Sequence, residues 1–148
     1  MNLRARGYAA VTVMVEIAQK GGKTPVSLTV VAATIGISVP YVEQLTADLR
    51  RSGLIRTFRG SRGGYRLAKP ACEISVLDVV LSAEDCAGAR GNEADDGLVS
   101  SKNPQVQDLW DRLEKFQRLF LQHLSLADVI NGDPSNHPLL KRMLNMLE

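Results

Sequence analysis

Apolar and polar positions separate onto two sides of a helix between residues 38 and 52. Val42, Leu45 and Leu49 recur at steps of three and four and form one stripe, while Pro40, Tyr41, Glu43, Gln44 and Ala47 fall opposite. Ser38 stands where an N-cap belongs, Pro40 is tolerated in the first turn, and Gly53 stops the helix. Just upstream, Ser27 is placed to cap a short helix over 28–35 that Gly36 breaks. Two helices joined by a tight turn make a helix-turn-helix. The spacing Ala32-x₃-Gly36-x₅-Val42 supports it, with a small residue for close approach, a glycine for the turn and a β-branched residue packing the second helix on the first.

The same patterning predicts the remaining elements. A first helix over 2–20 carries the stripe Tyr8, Val11, Met14, Val15 and Ala18, and Ala9, Ala10, Val13 and Ile17 make its other side apolar too, so it is expected to be packed on most sides. Gly21-Gly22 ends it, and Pro25-Val26 reads as an extended connector. Short apolar strands over 54–59 and 65–68 flank a glycine-rich turn. A helix over 74–83 has Ser75 as its cap and Val76, Val79 and Val80 facing inward. Residues 84–104 lose periodicity and read as a long polar loop, a class that is uncommon unless it is functional or mobile. Pro104 opens a long helix to about residue 130, where Leu109, Leu113, Phe116, Phe120 and Leu124 form a coiled-coil-like seam. That seam suits dimerisation, with docking on the chain's own core as the alternative. Gly132-Asp133-Pro134 ends the helix, and Leu139, Leu140, Met143, Leu144 and Leu147 form a last amphipathic segment expected to pack on a partner. The expected fold is mainly α with a small β-hairpin. A winged helix-turn-helix domain covers 1–83, a regulatory loop 84–104, and a dimerisation helix with a C-terminal segment 105–148.

The glycine-rich turn carries the most distinctive chemistry. Gly60-Ser61-Arg62-Gly63-Gly64 is surrounded by Arg56, Arg59, Arg62 and Arg66. Glycines let a hairpin tip take positive φ and approach another surface closely, and arginines suit a narrow minor groove. A wing that enters DNA fits both features. A phosphate-cradling loop fits less well, because such loops run from a strand into a helix N-terminus and this one runs into a second strand. A plain surface hairpin is the remaining reading. In the helix before it, Gln44 has the groups to pair bidentately with adenine, and Ser38 and Tyr41 can reach bases or phosphates. Glu43 repels phosphate. It either accepts from a cytosine amino group, selects against other sequences, or is an ordinary solvated glutamate. Arg50 and Arg51 close the helix, where cations suit both the dipole and phosphates.

Charge sharpens this division. The 148-residue chain has a formal net charge of +2, but residues 1–70 carry 11 Lys and Arg against 3 Asp and Glu, and residues 71–148 carry 7 against 13. A basic front half and an acidic back half suggest a nucleic-acid face and a separate regulatory or assembly face, unless the segregation is chance. The length allows one core, or a small domain with an appendage. No apolar run approaches the ~20 residues that span a bilayer, and the N-terminus leads straight into a helical pattern without a signal-peptide cleavage region. Cys72 and Cys86 do not make a disulfide framework. A cytoplasmic protein without a membrane partner is expected.

These residues carry a resemblance. Arg6-Gly7-Tyr8-Ala9, Pro25-Val26-Ser27-Leu28, Gly36-Ile37-Ser38, Tyr41-Val42-Glu43-Gln44-Leu45, Leu49-Arg50-Arg51-Ser52-Gly53-Leu54, Arg59-Gly60, Gly63-Gly64-Tyr65-Arg66-Leu67, Ile74-Ser75-Val76-Leu77-Asp78-Val79-Val80 and Leu109-Trp110 resemble the IscR/NsrR-type family of bacterial winged-helix transcription regulators, over roughly residues 1–130. The resemblance implies a homodimer with crossed long helices and two heads that bind near-palindromic promoter sites in double-stranded DNA. It implies that Ser38, Val39, Pro40, Tyr41, Glu43 and Gln44 face the major groove, and that Arg59 enters the minor groove; Arg62, from its place in the wing, and Arg50, from the end of the helix, are further expected DNA contacts. Many members hold an iron–sulfur cluster through three cysteines at six-residue steps and a histidine three residues before the tryptophan. Counted back from Trp110, those positions hold Asn92, Leu98, Pro104 and Gln107 here. None is a thiolate or an imidazole, so no cofactor is expected. Cys86 alone cannot hold a cluster in the usual way; it is either a redox thiol or a small residue at a helix end. Cys72, His123 and His137 suggest no metal site.

Three function classes follow. The leading one is a DNA-binding transcription regulator, most plausibly a repressor. The others are an atypical iron–sulfur or redox-sensing regulator using Cys86, and a winged-helix adaptor for protein partners, which leaves the basic head unexplained. No nucleophile–base pair, paired carboxylates or metal motif points to an enzyme.

Overall fold

The computed structural model describes residues 5–89, 103–132 and 137–146. In chain order it forms helices α1 (Ala5–Gly21), α2 (Leu28–Ile35) and α3 (Val39–Arg51), strands β1 (Ile55–Phe58) and β2 (Gly64–Leu67), and a 3₁₀ turn at Ala71–Glu73. Helices α4 (Val76–Ala89), α5 (Pro104–His123), α6 (Leu126–Ile130) and α7 (Pro138–Asn145) follow. The fold is mainly α with a two-stranded antiparallel hairpin, as the patterning predicts.

Helix α1 packs against α2, α3, α4, α6 and β2. Its buried side is Ala9, Ala10, Val13, Met14 and Ile17. Tyr8, expected in an apolar stripe, is instead 79% exposed. It lies roughly half a turn of rotation away from the Ala10–Val13–Ile17 stripe, on the opposite side of a helix with about 3.6 residues per turn. Ile17, Leu45 and Leu49 are almost wholly excluded from water, each contributing about 1.5–3 kcal/mol of transfer free energy. Val31, Ala32, Val42, Leu54, Ile55, Ile74, Val79 and Leu126 complete this core.

The helix-turn-helix forms from the residues that predict it. Ser27 Oγ accepts from the Val30 N–H. Gly36 takes the left-handed conformation at φ 78°, where its N–H donates to Ala32 O and closes α2. The chain turns by 116° between α2 and α3. Val42, Leu45 and Leu49 face inward with no exposed surface. Ser38 has extended N-cap dihedrals, but its hydroxyl makes no capping hydrogen bond.

The hairpin pairs Ile55 with Leu67 and Phe58 with Gly64. Its base is stitched to the connector before α2, since Val26 and Tyr65 exchange both backbone hydrogen bonds, at 2.8 and 2.9 Å. That approach explains Gly64: a Cβ there would lie 2.3 Å from Val26 O.

The back half departs from expectation in three places. Helix α4 continues past residue 83 to Ala89, because alanine and glutamate sustain a helix even where polar residues begin to dominate. Most of 84–104 lies outside the described residues, as do Asn92, Leu98 and the Cys86 side chain. The long helix stops at His123 rather than near 130. Ser125 interrupts it with a capping box: its Oγ accepts from the Asp128 N–H while Asp128 Oδ2 accepts from the Ser125 N–H. An antiparallel bridge between Ser75 and Ser125 then draws the chain back to α4, with Val76 N donating to Leu124 O and Leu126 N to Ile74 O, both at 2.8 Å. Finally, Leu140 of α7 packs on the chain's own Val76, Val80 and Leu124 rather than awaiting a partner. Leu147 lies outside the described residues, and so do the side chains of Leu139, Met143 and Leu144.

Candidate nucleic-acid interface

Burial of Val42, Leu45 and Leu49 fixes which side of α3 faces water. Ser38, Pro40, Glu43, Gln44 and Arg50 are exposed. Val39 and Tyr41 are half-buried and pack against the core, so each presents only part of its side chain to a ligand. Ser38, with its hydroxyl uncommitted to capping, and the exposed Gln44, with a carbonyl and an amino group on its side chain, have the donor and acceptor types that read base edges or phosphates.

Arg59 and Arg62 lie in the exposed turn that joins β1 to β2. Gly63 and Gly60 close this turn with a 2.9 Å backbone hydrogen bond, and a Cβ at Gly63 would collide with Phe58 O at 2.3 Å. The turn thus has to be built from glycine, and its two arginines project at its rim. The other two arginines divide. Arg56 is exposed on β1, whereas the Arg66 guanidinium stacks 5.5 Å from the Phe58 ring centre and reaches back to Gly22 O at 3.5 Å. Arg66 braces the hairpin against the end of α1 instead of adding charge to its tip.

Two features of this face were not read from the sequence. One is a shallow cleft of about 390 Å³ between the hairpin turn and the start of α2, with Lys20, Ser27, Val30, Arg62 and Gly63 among its lining residues. Its two cations line one cleft because the Val26–Tyr65 pairing folds the wing onto that connector, with Lys20 also paired to Glu16 at 3.2 Å. The other is Asp48, fully buried on α3. Its Oδ2 accepts from Arg6 Nη2 at 2.6 Å and its Oδ1 from Arg51 Nη1 at 3.3 Å. The pairing of Asp48 with Arg51 at i, i+3 is visible in the sequence; the one with Arg6, 42 positions away, is not.

Helix α5 forms a second candidate surface. None of its residues is buried. Leu109, Leu113, Phe116 and Phe120 are 61%, 41%, 51% and 37% exposed, and Trp110 and Leu119, which the seam reading left out, are 58% and 56% exposed. Leu124 is corrected. It caps the helix in an extended conformation and is buried in its own chain, because the Ser75–Ser125 bridge pulls it away from the α5 face. His123, at the end of α5, is exposed, with Nδ1 2.7 Å from Leu119 O. Its ring meets that of His137 edge-on at 5.7 Å. Cys72 is exposed in the turn after the wing. Among the described residues, no three His, Cys, Asp or Glu are grouped to hold a metal ion, and no single helix is long and apolar enough to cross a membrane.

The family model Rrf2, described as an iron-dependent transcriptional regulator, matches residues 3–132. The HTH-type transcriptional regulator IscR of Cereibacter sphaeroides is 33% identical over 153 residues, covering 100% of this chain and 99% of that one. The IscR of Serratia proteamaculans is 34% identical over 132 residues, covering 89% of this chain and 80% of its own. Among solved structures, T. potens IscR superposes with a TM-score of 0.72 at 30% identity, over 89% of this chain and 88% of that one. CymR, the global cysteine regulator of B. subtilis, gives 0.71 at 29% identity over 89% and 98%. At the four positions that the family resemblance marks as cluster ligands, this chain has other residues. Pro104 is the first residue of α5 and has no side-chain donor atom, and Gln107 Nε2 is engaged by Asp111 Oδ1 at 3.0 Å. With Asn92 and Leu98 at the other two positions, the four supply no thiolate or imidazole for an iron–sulfur cluster held in the usual way.

Proposed function

The chain belongs to the Rrf2 family of DNA-binding transcriptional regulators, which are not enzymes, and on that premise we propose that it is a cytoplasmic homodimer that represses transcription by occupying near-palindromic promoter DNA. One observation carries this reading: α3 buries its entire apolar stripe and turns Ser38, Pro40, Glu43 and Gln44 to solvent, beside a hairpin whose exposed turn holds Arg59 and Arg62. In this reading α3 lies in the major groove and the wing enters the flanking minor groove. Val39 and Tyr41 contribute their exposed edges, and Arg50 a phosphate contact. Gln44 and Glu43 choose the sequence, and the arginines supply grip. The exposed apolar face of α5, about 30 Å long at 1.5 Å per residue, supports a second copy as its occupant. A two-fold pair of heads matches a palindromic site. We place the regulatory input in 84–104, between the head and α5, rather than in a thiol switch at Cys86.

Selection from random oligonucleotides, followed by anisotropy titrations of the enriched duplex at several salt concentrations, tests the reading. A palindromic motif is expected, together with a steep fall of affinity with salt, as counterion release from several phosphates requires. Enrichment of no motif, with binding insensitive to salt, would refute it.

A further inference from the structure

Asp48 is a full carboxylate at a position with no exposed surface, on the helix that reads the operator in the proposed function. A buried charge persists only where partners hold it. Arg6 is one of them, and its guanidinium makes three contacts on two other helices. Nη2 donates to Asp48 on α3, Nε donates to the carbonyl of Ala83 on α4 at 2.9 Å, and the planar face lies 5.9 Å from the ring centre of Tyr41, in the first turn of α3. Gly7 makes this reach possible, because a Cβ there would press on Val80 Cγ1 at 3.3 Å where α1 and α4 meet.

We infer that Arg6 is a positioning residue for sequence recognition, locking the rotation of the recognition helix to Ala83, midway along α4. The guanidinium fork holds its donors at fixed angles, so a carbonyl on α4 and a carboxylate on α3 are set relative to one another. Asp48 stands one turn beyond Gln44, so rotation of α3 that moved the carboxylate would also re-aim Gln44 and Glu43. Tyr41 against the same guanidinium steadies the other end of the reading face. Helix α4 leads into the segment that joins the head to α5. A displacement of α4 at Ala83 would therefore reach the base-reading side chains through Arg6 as well as through the direct packing of α3 on α4.

The inference rests on α3 being the recognition helix, and the test separates the two. Arg6→Lys keeps a cation for Asp48, but one ammonium cannot reproduce the fork to both Asp48 and Ala83. The duplex enriched by the wild type and a scrambled duplex of equal length are titrated with both proteins, alongside thermal melts. The expected result is a folded variant whose affinity for the enriched duplex falls by roughly tenfold while that for the scrambled duplex stays within twofold, since specific contacts need aim and phosphate contacts do not. Equal changes on both duplexes, or no change on either, overturn the inference and leave the ion pair a stabilising contact. If Arg6→Lys does not fold, Arg6→Met with Asp48→Asn removes both charges together and is put to the same two titrations. Failure of both variants to fold also overturns it. If the wild type itself does not distinguish the duplexes, the recognition-helix reading fails instead.

Discussion

Helices α3 and α5 are both amphipathic, yet they resolve their apolar sides in opposite ways. Helix α3 presses Val42, Leu45 and Leu49 into its own chain until none has exposed surface, and what it shows to water is polar. Helix α5 has no fully buried residue: Leu121 packs part of its side chain on the Val76–Leu124 cluster, while Leu109, Trp110, Leu113, Phe116, Leu119 and Phe120 stay in solvent. A contiguous exposed apolar face of this kind marks an interaction surface. Equal periodicity thus serves two purposes. In α3 it leaves the polar side exposed, which the proposed function assigns to a nucleic-acid ligand, and in α5 it leaves the apolar side exposed, which that proposal assigns to a second copy. The difference comes from what each helix can reach. A turn at Gly36 sets α3 against α1 and α2, whereas α5 is anchored at its end by Leu124 and the strand-like contact with Ser75.

The largest test of this contrast attacks α5. Leu113→Asp with Phe120→Asp places two carboxylates in the proposed dimer seam, which costs several kcal/mol without partners, so the dimer dissociation constant should rise on the order of a thousandfold. Sedimentation should show a dimer for the wild type at micromolar concentration and a folded monomer for the variant. A monomeric wild type would remove the second copy from the reading.

The reciprocal change on α3 acts on folding instead. Leu45→Ala opens a cavity in the core and should cost about 2–5 kcal/mol, while Leu109→Ala, on a residue already exposed, should change the stability of the separated chain by less than about 0.5 kcal/mol. Urea unfolding of both in the monomeric background checks the pair. Similar losses for the two would mean that α5 is packed on its own core.

The head and the long helix were not equally legible in the sequence. The helix-turn-helix could be read because its contacts are local: Ala32, Gly36 and Val42 lie within eleven positions and each has a distinct steric task. The exposed apolar side of α5 could be read as far as Phe120, and the reading then failed at Leu124. Its three- and four-residue spacing continues through a break that Ser125 and Asp128 encode as a capping box. The partner that holds this break open, Ser75, is fifty positions away, and no helical period registers a contact of that range. Arg6 and Asp48 escaped for the same reason. Lys20 and Arg62 share a cleft because a backbone pairing at Val26 and Tyr65 folds the wing down.

A smaller effect is expected at the nucleic-acid face. Arg59→Ala removes one cation from the wing turn and should weaken binding to the enriched duplex by about 1–3 kcal/mol with folding unchanged. Gln44→Ala should weaken the enriched duplex more than a scrambled one, and Glu43→Ala should broaden the set of sites bound, because a repulsive group is removed. Anisotropy and repeated selection distinguish them. Equal affinity of Arg59→Ala and wild type would take the wing out of the groove, and identical enriched motifs would do the same for α3.

The smallest effect concerns the joint that sends the two helices to different ends. The hydroxyl of Ser125 and then its backbone N–H, both donating to Asp128 Oδ2, hold the Asp128 carboxyl below its ordinary pKa. A carboxyl depressed in the folded state contributes stability that is fully present above its unfolded pKa and is lost as pH falls through the lower folded value. Ser125→Ala removes the hydroxyl donor and acceptor, so the carboxyl should titrate closer to an ordinary aspartate. The cost near neutral pH should be about 1 kcal/mol or less, the range of a lost N-cap, because the carboxyl is largely solvated and its interaction screened. Melting temperatures of wild type and variant should therefore differ most at pH 7 and converge in acid, once Asp128 is protonated in both. A gap that stays constant down to the acid limit would mean that Ser125 acts through its hydrogen bond to the Asp128 N–H alone, and that the carboxylate adds nothing to the break between α5 and α6.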